Sequence, residues 1–212
     1  MKKRLLAAFL MAILIMTISF SACSNNEGKD AGKLSSETGG DIIDDPVADG
    51  TAYGYGGTDP VEATVYKYMV EEKSKDYDKA DVSIPIVSII SEDFTKADEV
   101  TVYGDFWIDN YNIEGDTLKC VSGGNYPGVI HMKRDGDSYT VTRMDVVADG
   151  SGFDASARKL FGDKYEDFME VYSDSDARDE LRRITVTDYV HFNDLSVTKY
   201  QDEGWDPVEL YS

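Results

Sequence analysis

Reactive side chains are scarce in these 212 residues: there are two histidines and two cysteines, and no cysteine pair. Zinc patterns need four such ligands, or three plus water, so structural zinc is not expected, and an exported domain of this size can stand without a disulfide. Positive charge is also short, with 21 Lys and Arg against 41 Asp and Glu and a formal net charge of −20. A field of that sign repels nucleic acid and anionic lipid headgroups and favours cations, basic partners and solubility. No nucleic-acid partner is expected. The chain also lacks a serine elbow, a glycine-rich phosphate loop and a dinucleotide fingerprint, and no cofactor is expected.

The first 22 residues carry Lys2, Lys3 and Arg4 and then an apolar run over 5–18 broken only by Thr17. This is a secretory leader, too short for an ordinary membrane span. It ends in Phe20-Ser21-Ala22-Cys23, which resembles the lipobox of bacterial lipoproteins, with Phe20 in place of the usual Leu. The resemblance implies cleavage before Cys23, diacylglycerol on its thiol, and an anchor on the outer face of the cell membrane. Cys120 is then a lone thiol in a strand, read as a small hydrophobe. Residues 23–58, rich in Gly, Ser, Asp and Asn, read as a flexible lipid-attached linker, with Tyr53-Gly54-Tyr55-Gly56-Gly57 as its joint. Residues 59–150 form the α+β sheet domain, and 151–212 a helical extension packed on it.

Asp59-Pro60 opens a helix: Asp59 suits the N-cap, Pro60 the first turn, and Glu62 the capping-box position. Val61, Val65, Tyr68 and Met69 give it an apolar stripe ending near Lys75. Residues 82–90 read as an edge or bulged strand, because Pro85 lacks a ladder donor. Residues 100–147 read as two successive hairpins. Alternation puts Val102, Gly104, Phe106 and Ile108 on one face and Tyr103, Asp105, Trp107, Asp109 and Tyr111 on the other. Asp135-Gly136 suits a type I′ turn pairing Met132 with Tyr139 and Ile130 with Val141, which sends His131 to the opposite face beside Thr140. Residues 155–161, 164–172 and 176–192 read as helices. Ala177, Leu181, Ile184 and Phe192 share one side of the last, Val186 and Val190 fall off it, and Trp205 in the tail packs back on the body.

Three side-chain sets carry possible chemistry. His131 is the best general acid or base by residue type. Asp174, Asp176 and Asp179 invite a calcium reading, but Arg178 stands where an oxygen donor is needed, so they read as acids at a helix N-terminus. If the sheet curves round a hollow, Tyr103, Asp105, Trp107, Asp109 and Tyr111 supply aromatic walls and two carboxylates for a cationic or sugar-like ligand. If the C-terminal helices cover that face, the same aromatics are core.

The order of a capped helix from Asp59, a strand from Val82, and long antiparallel strands carrying Phe106-Trp107-Ile108 and 139–147 resembles the cystatin-like and NTF2-like α+β folds. There an N-terminal helix packs on a curved antiparallel sheet, and the C-terminal helices here are an addition. In general character the chain resembles small lipoproteins of Gram-positive gut bacteria. The expected function is a non-enzymatic envelope protein that binds a ligand or a protein partner. The alternatives are an NTF2-like isomerase or hydrolase using Asp105 or Asp109, with or without His131, and a structural or inhibitory cystatin-like module.

Overall fold

The computed structural model describes residues 54–212, so the leader, Cys23 and most of the expected linker lie outside the described residues. The first helix, α1 (Pro60–Tyr68), begins where Asp59 Oδ1 accepts the backbone N–H groups of Val61 at 2.8 Å and Glu62 at 3.0 Å. It relaxes into a π turn over Met69–Lys73 and a 3₁₀ turn over Ser74–Asp76. Glu62 does not act as a capping-box acid. Its carboxylate accepts the Tyr55 hydroxyl at 3.1 Å, which ties the segment before the helix to the helix.

Seven strands follow: β1 (Val82–Asp93), β2 (Glu99–Glu114), β3 (Thr117–Asn125), β4 (Gly128–Asp135), β5 (Ser138–Val146), β6 (Lys199–Gln201) and β7 (Val208–Glu209). The central strand is β2. Along one edge it pairs with β1, from Val82 opposite Tyr111 to Asp93 opposite Thr101. A strand has only two edges, so β3 and β4 lie end to end along the other. Trp107 faces Asn125, Gly104 faces Gly128, and the Tyr126 N–H donates to the Phe106 carbonyl at 2.6 Å between them. Beyond this ribbon β5 adds to β4, β6 adds in parallel to β3, and β7 closes on β6. The sheet is open, and among the described residues β1 has no strand on its second edge.

Helices cover both faces. Under α1, the buried Val61, Val65 and Met69 pack with Val102, Phe106, Ile108, Ile130 and Met132. The opposite face carries α2 (Phe153–Phe161), α3 (Tyr165–Ser173) and α4 (Ser175–Phe192). There Phe161 and Phe168 stack at 4.0 Å and pack with Tyr103, while Val186 and Val190 pack on Ile84 and Tyr111. Asp174 caps α4 by accepting the Ala177 N–H at 3.0 Å, which accounts for the acids at that end.

Four sequence expectations are corrected. The β4–β5 turn is Gly136-Asp137, with Gly136 at φ 63°, so Met132 faces Val141 and Arg134 faces Tyr139. Glycine at the first turn position suits type II′ in place of I′. The displaced register keeps Ile130, Met132, Tyr139 and Val141 on the α1 face, and a bulge then sets His131 opposite Arg143. On α4 the buried stripe is Val186, Thr187 and Val190, whereas Ile184 and Phe192 stay 41% and 46% exposed. Trp205 is 75% exposed, because β6, with buried Tyr200, docks the tail instead. The body also reaches further back than residue 59, since Tyr55 is buried against Tyr66.

Candidate functional site

On the α4 side of β2 the alternating side chains Tyr103, Asp105, Trp107, Asp109 and Tyr111 lie beneath helices, with Asp105, Trp107 and Tyr111 buried. Arg178 and Arg182, one turn apart on α4, reach down to the two aspartates. Arg178 lies over the rings of Trp107 and Tyr172, at 4.8 and 4.9 Å from their centroids, and its Nη1 is 3.4 Å from Asp105 Oδ2. Asp105 is fully buried; Asn125 donates to its Oδ1 at 2.7 Å, and its Oδ2 has no hydrogen bond. Burial pushes its carboxyl above the usual range, against the pull of Asn125 and Arg178.

Arg182 is the more heavily bonded of the pair. Its Nε meets Asp109 Oδ2 at 2.7 Å, both terminal nitrogens meet Asp202 at 2.7 Å, and it donates to the Tyr111 hydroxyl. Hydrogen bonding to Arg182 holds Asp202 below the usual carboxylate range, while burial pushes Asp109 above it. This cluster holds the tail strand, the last helix and the sheet together.

His131 is set apart from both aspartates. Its Nε2 lies 3.1 Å from Asp145 and 2.9 Å from Arg143, beside a hollow of about 490 Å³ lined by Lys96, Thr101 and Lys133. Cys120 is half-buried at the edge of the Tyr111 cluster, and burial pushes its thiol up to about 12, which makes it a poor nucleophile.

A concave feature lies elsewhere, along the edge of β1 that pairs with no other strand among the described residues. A groove of about 670 Å³ has Pro85 and Val87 of β1 at its base. Tyr55, Glu62 and Tyr66 wall the α1 side, and Leu181, Ile184, Asp188, Tyr189 and Phe192 of α4 wall the other. A second hollow of about 570 Å³ continues it past Ser88, Ile89 and Ile90, beneath Asp167, Glu170, Ala177 and Arg178, and Leu181 lines both. Burial raises the Glu62 carboxyl above its ordinary range.

The sequence signals for this groove were present but carried other readings. The exposed stripe of α4 that looked like a core face, Ala177, Leu181, Ile184 and Phe192, is one wall. The described part of the Tyr-Gly segment that looked like a joint, residues 54–57, touches both walls, Tyr55 meeting Glu62 and Tyr66 of α1 while Gly54 and Gly56 lie against α4. Gly54, at φ 85°, lies so close to Tyr189 that a Cβ would sit 2.4 Å from its ring, and a Cβ on Gly56 would touch Phe192 at 3.2 Å. Among the described residues no cluster of three His, Cys, Asp or Glu side chains is arranged to hold a metal ion. No protein-family model, curated protein or solved structure matches the chain.

Proposed function

We propose that this chain is a lipid-anchored extracytoplasmic protein that binds a ligand or protein partner, without a chemical step, in the groove along β1. The observation that carries the reading is the groove itself: among the described residues no strand pairs with the outer edge of β1, and aromatic rings and carboxylates of α1, α4 and the Tyr55 segment line the opening beside it. The leader and Cys23 supply the address, with the membrane as one partner. The domain is assigned with the cystatin-like and NTF2-like α+β folds, on the order of a capped helix followed by long antiparallel strands.

A thermal-shift screen of the full chain in detergent against sugars, amines, peptides, divalent ions and cell-wall fragments tests this reading, because a ligand that binds only the native state raises its apparent stability. The expected result is a reproducible upward shift with one class that disappears in Thr185→Trp, a substitution that fills the groove because Thr185 of α4 lines it, while that variant still unfolds cooperatively. A shift that survives the substitution places the site elsewhere.

A second reading, an NTF2-like enzyme, is favoured by one observation. Asp105 keeps an unbonded oxygen and a raised carboxyl pKa, and Ser88, its cross-strand neighbour, lines the second hollow. Turnover abolished by Asp105→Asn in a folded variant would support it.

A further inference from the structure

The site proposed above runs along an edge strand, which narrows what fits it. A strand edge presents a row of N–H and C=O groups that can pair with another extended chain. On β1, Pro85 and the extra residue at Ile90 bracket the stretch Ile86–Val87–Ser88–Ile89, and both hollows open along that stretch. From Pro85 to Ile90 an added strand would run about 20 Å. Its side chains would alternate between the α1 wall and the α4 wall. Strand addition to an edge beside a helix is an established way to recognise peptides, with affinity from the main chain and selectivity from alternate side chains.

The charges around the opening select the occupant. Glu62, which accepts the Tyr55 hydroxyl, and Asp188 flank one half and Asp167, Glu170 and Asp174 the other; of the basic lining residues, Arg178 is engaged with Asp105, and His191 lies in the half lined by Asp188. Residues 24–53 of this chain hold two lysines against seven acids, so their charge opposes entry. A second copy, with a net charge of −20, is disfavoured in the same way. Resting on the proposed binding role, we infer that the occupant is an extended segment of a basic partner protein, with lysine or arginine among apolar residues, added as a strand to the free edge of β1 between α1 and α4.

The test is selection of peptides from a random phage-displayed library on the full chain, followed by synthesis of the selected peptides. Expected are sequences rich in Lys or Arg and β-branched residues, bound more weakly as salt rises and lost in Thr185→Trp and in Ala177→Trp. Methylating alternate backbone nitrogens should weaken binding about tenfold in one phase of the alternation and leave the other phase unchanged, because only one set of amides faces β1. Peptides without a basic excess, or indifference to N-methylation in both phases, overturn strand addition. If no peptide is selected but small amines still bind in a manner sensitive to Thr185→Trp, strand addition fails and the broader binding role stands. If nothing binds the groove, both fall.

Discussion

Arg182 is bonded to three partners at once, Asp109, Asp202 and the Tyr111 hydroxyl, and is itself largely buried. Removing it leaves Asp109 as a buried charge without a counter-ion. Arg182→Met should therefore cost about 3–5 kcal/mol in urea unfolding, and adding Asp109→Asn should recover part of the loss. Arg182→Lys should rescue poorly, because an ammonium cannot make the paired contact to Asp202 while reaching Tyr111. Asp105 has the opposite character. Its folded-state pKa is raised by burial, so its contribution to stability is full below the unfolded value and is lost as pH rises through the folded value. Asp105→Asn, which keeps the shape and removes the charge, should raise the unfolding temperature at pH 7, with the advantage shrinking as pH falls toward 4. An advantage that grows on acidification would contradict that account. Neither role was readable from residue type: Asp105 and Asp109 look alike in sequence, and what separates them is which arginine of a distant helix reaches them.

At the scale of elements, α4 separates what a periodic pattern fixes from what packing decides. Its sequence carries apolar residues on more than one side, so periodicity alone cannot say which side faces the sheet. Ala177, Leu181, Ile184 and Phe192 form the longer stripe, yet Val186, Thr187 and Val190 are the buried residues. The reason is the arginine pair, which must face Asp105 and Asp109 and so fixes the helix's rotation. Val186→Ala should thus cost about 2 kcal/mol in chemical denaturation, whereas Ile184→Ala, although it deletes more carbon, should stay within about 0.5 kcal/mol. Equal costs would return Ile184 to the core. The β4–β5 hairpin makes the same point on a smaller scale. The Asp-Gly turn signal located the hairpin, but only the backbone could show that Gly136 takes the first turn position.

For the whole molecule, the proposal of a lipid-anchored protein outside the cell rests on the sequence of residues 1–23, and that of a basic partner on the excess of acids. Cys23→Ser should release the protein into the medium, measured by fractionation and blotting, and retention in the membrane fraction would remove lipid anchoring from the proposal. The capped helix from Asp59, the alternation along β2 and the presence of three C-terminal helices were legible in the sequence, because each depends on residues close together in the chain. The second edge of β2 shared by β3 and β4, the arginines filling the Trp107 face, and the groove left along β1 were not legible. Each depends on which distant surfaces meet, and the buried charges and the limited number of strand edges decide that only once the chain is folded.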